Sequence, residues 1–393
     1  MTICFFSAQY LPMSGGVERY TYNLAKRSSQ AGNHVIIVTS ALPNVKDHEV
    51  TEDGIEIFRL PARLLMAGRF PVPQWNRKHK ALMKQLNNRE IDIVLIMNHF
   101  YLLSLFAAYW AKRRNIPMLL IEHGSGHLVP EGKIAQWIGH IYEHFAAWYL
   151  SRICEHFYGV SKGVCTWLKH FRIQAKGVLY NAVDMAFIER VLAERYSVNW
   201  RNDLGLKQET KLVLYAGRLI PEKGIRELIS AIDMLSDQNT VLVLAGDGPM
   251  FERLRQEHAG SARIKILGRV EYDALLTLYK QADVFCLPSY SEGFPTTLLE
   301  AAACGCAQIA SDVGGVRELI CSEEHGIVLQ SVSAEIIADA ISFALQNEVW
   351  RKKSAELLRR QVAENFDWPV VSKKFLLTAS AVAAQQRLSN KHN

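Results

Sequence analysis

Two glutamates, Glu292 and Glu300, stand eight positions apart in the stretch EGFPTTLLE, with a Gly-Phe-Pro turn after the first and a helix-forming run leading into the second. Pro295 suits a helix start and Leu298 and Leu299 suit a core, yet that ordinary reading leaves both carboxylates unexplained. Glu292 precedes the helix and Glu300 lies inside it, so the two cannot share a helical face as a general acid and base. They can contact two parts of one elongated ligand, because carboxylates accept hydrogen bonds from vicinal hydroxyls. The free N–H groups of Thr296 and Thr297 at the helix start would point at a phosphate. A ribose and a hexose joined by a diphosphate would satisfy all of these groups.

Other segments carry compatible chemistry. GRLIPEKG (217–224) leaves a strand with Arg218 and Lys223, two cations able to neutralise a diphosphate, in a loop bounded by glycines. AGDGP (245–249) repeats that layout, and its turn at Gly246, Asp247 and Gly248 reads as a wall of the pocket. Near the N-terminus, Gly15-Gly16 feeds a helix starting near Val17, an arrangement that lets backbone amides and the helix dipole approach an anion. It is not the G-x-G-x-x-G of a dinucleotide fold, and no acidic residue ends the following strand HVIIVTS. SDVGGVREL (311–319) adds a further Gly-Gly turn before a helix.

Short apolar runs alternate with longer amphipathic segments along all 393 residues. Strands are expected at 3–6, 34–39, 92–97, 118–123, 156–160 and 177–180, and again at 212–217, 241–246, 264–268, 284–288, 308–311 and 326–329. Continuous apolar strands separated by helices imply parallel sheets covered on both faces, and two sets imply two doubly wound α/β domains in tandem. The boundary is expected between Asn181 and Lys211, giving domains at 1–184 and 185–369, with a final helix from about Val370 to Arg387 free to pack on either, including back on the first. Ligands of such sheets bind outside the carboxyl ends of the strands, so the motifs above should converge in a cleft.

Composition narrows the function classes. Seven scattered cysteines fit reduced, buried thiols, and Cys304-Gly305-Cys306 without a second Cys/His cluster is weak support for a metal site. The longest apolar stretch, FYLLSLFAAYWA (100–111), is too short to span a bilayer, and the N-terminus reads as a first strand, so the expected location is cytoplasmic. Residues 1–184 hold 21 Lys and Arg against 13 Asp and Glu, whereas residues 185–393 hold 24 against 26. That asymmetry suggests a first domain meeting phosphate groups or an acidic lipid leaflet. The basic excess is modest and no readout motif is present, so nucleic-acid binding is not expected.

The SGGVERY loop, EHG (122–124), GRLIPEKG, AGDGP and EGFPTTLLE occur in one order along nearly the whole chain, and in this the sequence resembles the retaining nucleotide-sugar glycosyltransferases of the GT4 family. The resemblance implies the GT-B fold, two Rossmann-like domains facing a central cleft: the first binds the acceptor and the second the donor. It implies that Gly16 lies against the donor phosphates, that Arg218 and Lys223 bind the diphosphate, with Gly246 beside them, and that Glu300 holds the ribose hydroxyls. Glu292 would contact the transferred sugar, the segment Phe294, Pro295, Thr296 and Thr297 would lie with the amides around it near phosphate and sugar, and His123 would sit over the sugar. YNAVD departs from the family, which often has Gly in place of Ala182; this touches the hinge and not the chemistry.

The expected reaction moves a hexose-type sugar from a UDP- or GDP-linked donor to a saccharide or lipid-linked saccharide hydroxyl, as in the building of bacterial surface polysaccharides. No Asp-x-Asp occurs, so no metal and no cofactor are expected. Retention in such families is thought to proceed by same-face attack; a double displacement would leave Glu292 as the candidate nucleophile. Two amphipathic segments, WNRKHKALMKQL (75–86) and WIGHIYEHFAAWYL (137–150), read equally as peripheral contacts with an anionic membrane or as ordinary helices with apolar sides in the core. A nucleotide-sugar 2-epimerase on a related fold and a non-catalytic nucleotide-sugar binder are the competing functions.

Overall fold

The computed structural model describes residues 1–391 apart from 14, 67, 69, 128–131 and 195–197. Ser14 of the SGGVERY loop and part of the polar stretch expected to join the domains thus lie outside the described residues. The chain divides into two compact units, Met1–Tyr180 with Pro369–Asn393, and Asn181–Trp368. The divide falls four residues before the expected 184. Asn181 goes with the second unit, where its side-chain amide donates to the Phe294 carbonyl at 2.6 Å.

In the first unit, strands β1 (Thr2–Phe6), β2 (His34–Ser40), β3 (His48–Val50) and β4 (Glu56–Leu60) precede a two-stranded ribbon of β5 (Ala62–Leu65) and β6 (Phe70–Pro73). β7 (Ile93–Met97), β8 (Met118–Glu122), β9 (Phe157–Gly159) and β10 (Gly177–Val178) follow. The main sheet runs β10-β9-β8-β7-β1-β2-β4-β3, parallel except for the β3–β4 pair. β7 and β8 are buried along their whole length, as a sheet covered on both faces requires. The final helix, Trp368–Lys391, sets the Phe375 ring 6.1 Å from that of Phe5 on β1.

The second unit contains β11 (Lys211–Ala216), β12 (Thr240–Ala245), β13 (Ile264–Gly268), β14 (Val284–Leu287), β15 (Ala307–Ser311) and β16 (Ile327–Leu329). They form a parallel sheet in the order β13-β12-β11-β14-β15-β16, and the order reverses at β11. The loops after β11 and β14 therefore diverge at the place where doubly wound sheets open a crevice.

All twelve expected strands are present, and β3 to β6 were not anticipated. β4, EIFRL, is entirely buried although it carries Glu56 and Arg59. Arg89 and His48 reach Glu56 at 2.8 Å each, and Glu49 and the Lys46 carbonyl hold Arg59 at 2.7 and 2.9 Å. Burial alone would raise the Glu56 carboxyl, but these partners hold it low. Cys304 and Cys306 are both buried and form no disulfide, and burial pushes both thiols up.

Candidate active site

The second domain's site is laced together by loops at the carboxyl ends of β11, β12 and β14. Lys223 ends a 3₁₀ turn, Pro221–Lys223, and Gly224 then takes φ +65° to start the helix Ile225–Met234. A Cβ at Gly224 would lie 2.1 Å from the Pro288 carbonyl oxygen, so only glycine lets this loop approach the end of β14. Gly246 is still more constrained: φ is +148°, and a Cβ would meet the Gly217 carbonyl oxygen at 1.8 Å. The Gly217 amide donates to Ala245 at 3.0 Å and that of Leu219 to Asp247 at 2.9 Å, which locks the loop of Arg218 onto that of Gly246. Arg218 itself is exposed and makes no ion pair among the described residues.

This framework brings Lys223 and Glu292 together. Lys223 Nζ lies 2.5 Å from Glu292 Oε1, and the Ser289 hydroxyl donates to the same oxygen at 2.8 Å. Ser289 is held in turn, since Ser311 Oγ donates to its carbonyl at 2.6 Å. The Tyr290 amide donates to the Glu222 carbonyl at 2.9 Å, and the Gly315 amide to Gly293 at 2.9 Å. The Glu292 backbone is thus clasped from two sides.

Beyond Glu292, the Phe294 side chain is buried against Phe366, with ring centroids 5.1 Å apart, so only its backbone is available to a ligand. Pro295 is the N-cap of the helix Thr296–Ala303, whose first amides, at half-buried Thr296 and Thr297, have no intrahelical acceptor. Glu300, one turn inside, is 5 % exposed and accepts a long hydrogen bond, 3.4 Å, from the Tyr279 hydroxyl. Glu292 and Glu300 thus have separate partners, Lys223 and Ser289 for one and Tyr279 for the other.

In the first domain Gly16 opens the helix Gly16–Gln30, and a Cβ there would meet nothing within 4 Å. Nothing in the packing of the described residues demands a glycine at that position. Glu18, one turn on, is buried with its carboxyl pushed up by burial, and its Oε2 occupies the place of a Cβ on Gly15.

His123 follows β8. Its amide donates to Asn98 Oδ1 at 2.9 Å and its ring meets Tyr20 edge-on at 4.8 Å. Burial pushes the imidazole down to about 4, against the opposing influence of Glu122, so the ring is neutral near pH 7. Its Nε2 is shielded and has no partner among the described residues. Beneath it Glu122 is 1 % exposed and accepts from the His99 amide at 3.0 Å, His99 Nδ1 at 2.6 Å and the Gly124 amide at 3.1 Å. Burial would raise Glu122, but the His99 charge and these hydrogen bonds hold it below its ordinary range, and Glu122 in turn raises His99 against burial.

Sequence reasoning assigned no role to Asn98, His99, Glu122, Ser289 or Asn181. Asn98 and His99 immediately follow the buried strand β7 in DIVLIMNH, and polar groups at such a strand end were the available signal.

A family model described as Glycosyltransferase Family 4 matches residues 14–187, and one described as Glycosyl transferases group 1 matches residues 197–365. An uncharacterized glycosyltransferase of Methanocaldococcus jannaschii is 25 % identical over 386 residues, covering 95 % of this chain and 96 % of that protein. A Bacillus subtilis glycosyltransferase named for teichuronic acid biosynthesis is 29 % identical over 327 residues, 80 % of this chain and 77 % of that one. Among solved structures, an Anabaena protein in complex with UDP-glucose superposes with a TM-score of 0.74 at 20 % identity, covering 97 % of this chain and all of that one, a likeness of fold.

Proposed function

We propose that this chain, which belongs to the family 4 and group 1 glycosyltransferases matched by its two halves, moves a hexose-type sugar from a nucleotide diphosphate-sugar to a saccharide or lipid-linked saccharide hydroxyl, with retention and without a metal. The observation that carries this reading is the Lys223–Glu292 pair, held at 2.5 Å by loops at two strand ends beside the N-terminus of the helix Thr296–Ala303. Unliganded, each charge neutralises the other. A donor replaces both partners at once: its diphosphate takes Lys223, and its sugar hydroxyls take Glu292.

The bond that breaks joins an anomeric carbon to a phosphate oxygen, so the transition state gains charge on the departing diphosphate. Lys223, Arg218 and the Thr296 and Thr297 amides would meet that charge from loops whose backbone is constrained, with little reorganisation during the reaction. Glu300, buried beside Tyr279, would hold the ribose hydroxyls. Gly16, with open space where a side chain would be, leaves room for a phosphate, and the neutral His123 is the first domain's candidate for contact with the sugar. The departing phosphate would accept the acceptor's proton in a same-face attack.

A membrane-borne acceptor is supported by one helix and not by the other. Arg77–Asn87 buries His79, Leu82, Met83 and Leu86, so its apolar side is core. Lys133–Ser151 instead presents Ile134, Trp137, Ile138, Ile141, Phe145 and Trp148, each 51–77 % exposed, at helical spacing along one stripe. Phe145 and Tyr149 also line an apolar groove of about 500 Å³ with Trp75, Phe106 and Tyr109. No helix among the described residues is long and apolar enough to cross a membrane, so this stripe fits a helix lying in the interface of an anionic leaflet at the inner face of the cell membrane.

The test is nucleoside diphosphate release from UDP- and GDP-sugars with and without a saccharide-diphosphate-lipid acceptor, with the product anomer read by NMR. Release that requires acceptor and yields the donor's own anomeric configuration is expected. Interconversion of donor epimers without acceptor would replace the proposal with an epimerase, and a covalent sugar on Glu292 would replace same-face attack with double displacement.

A further inference from the structure

We propose that His127, His144 and His170 form a binding site for one transition-metal ion of the zinc class in the first domain, built from side chains to which no part in sugar transfer is assigned. The three come from separate segments: the loop after β8, the helix Lys133–Ser151 and the 3₁₀ turn Lys169–Phe171. One ring nitrogen from each lies within 4.8 Å of the others, the one such His, Cys or carboxylate group among the described residues. Zinc with nitrogens at about 2.0–2.1 Å in a tetrahedral shell needs them about 3.3 Å apart. His144 and His170 are exposed, so side-chain rotation alone can close that difference.

The surroundings are those of a metal ligand set. His127 Nδ1 is hydrogen-bonded to Glu143, whose carboxylate is almost completely buried. A carboxylate on Nδ1 fixes the tautomer and leaves Nε2 as the ligating atom, one of the partners that commonly orient a zinc-bound histidine. The other two rings have aromatic neighbours. Trp167 stacks on His170 at 4.9 Å and 11°, and Phe171 lies 5.0 Å from His144. His140 lies 4.1 Å from His127, one helical turn before His144. Three protein nitrogens leave a fourth position for water or a ligand atom. The chemistry assigned to Arg218, Lys223 and Glu292 uses none of these groups.

The test uses full-length protein without a histidine tag, stripped with EDTA and dialysed. Elemental analysis after zinc loading should give one zinc per chain. Titration with Co²⁺ should develop the visible bands of a tetrahedral nitrogen site, displaced by equimolar Zn²⁺. His144→Ala and His170→Ala, both at exposed positions, should each weaken binding by at least the roughly 10–100-fold that loss of a partner behind a metal ligand brings. His34→Ala, an exposed histidine outside the cluster, should bind as the parent does, and thermal melts confirm that all three variants fold. Zinc binding no tighter than that of His144→Ala, or cobalt spectra without tetrahedral bands, would overturn the site.

Discussion

Lys223 and Glu292 are positioned by backbone: glycines at 224 and 246 sit where a Cβ would strike a carbonyl oxygen at 2.1 and 1.8 Å, and loop-to-loop hydrogen bonds do the rest. His123 is positioned by side chains: Asn98 holds its amide, Tyr20 meets its ring, and the buried Glu122–His99 pair fixes the strand ends below. One parallel-sheet plan thus supports two ways of placing a functional group. The first tolerates side-chain exchange but no change of backbone; the second tolerates backbone variation but no loss of a buried partner.

Replacing Glu122 by Ala should have the largest effect on stability. It removes the acceptor of three hydrogen bonds and strands His99, and losing one member of a buried pair costs about 3–5 kcal/mol. Urea denaturation reads it, and a cost below about 1 kcal/mol would mean that the network is not what holds the first-domain site. Lys223→Ala should lower kcat/KM for transfer by about 10²–10³, the usual loss of a preorganised charge-stabilising group, with stability nearly unchanged because its partner Glu292 is reachable by water.

Gly246→Ala should cost about 2–3 kcal/mol in denaturation, whereas Gly16→Ala, with open space at its Cβ, should stay within about 1 kcal/mol and act on donor affinity instead. Equal stability losses at the two glycines would erase the contrast between the domains.

The two sites also differ in pH dependence. The His123 imidazole is lower when folded, about 4, than its ordinary 6.5, so its contribution to stability is complete above 6.5 and is lost as pH falls toward 4. Glu122 adds loss in the same direction, with its depressed pKa, as pH falls below its ordinary 4.5. His99 runs the other way, with stability present below 6.5 and lost as pH rises through its elevated value. His123→Asn should therefore flatten the decline of the urea midpoint between pH 6.5 and 4.5, and an unchanged slope would show that the ring is solvated.

The fold was legible because its parallel strands are apolar throughout: ICFF, HVIIVT, LVLYAG and VLVLAG carry no charge to confuse the pattern. β4 was not, because Glu56 and Arg59 make EIFRL look like surface, and their neutralising partners are distant or irregular in sequence. The same divide runs through the candidate site. Motifs bounded by glycine announce their own turns, so GRLIPEKG and EGFPTTLLE could be read locally. The Asn98, His99 and Glu122 network joins two strand ends over twenty residues apart, and although polar residues after β7 mark one end, nothing local marks which residue they pair with. Nor could helical periodicity separate Arg77–Asn87 from Lys133–Ser151, since both are amphipathic and only packing decides which apolar side meets a core.

Thermal shift against UDP-, GDP- and ADP-sugars, in buffer without added divalent ions, tests the central claim most directly, on the parent and on Lys223→Ala and Glu300→Ala. A ligand of the folded state raises the melting temperature by mass action. One nucleotide class should stabilise the parent and neither variant. Stabilisation of all three proteins alike, or of none by any donor, would contradict a donor site built on Lys223, Glu292 and Glu300.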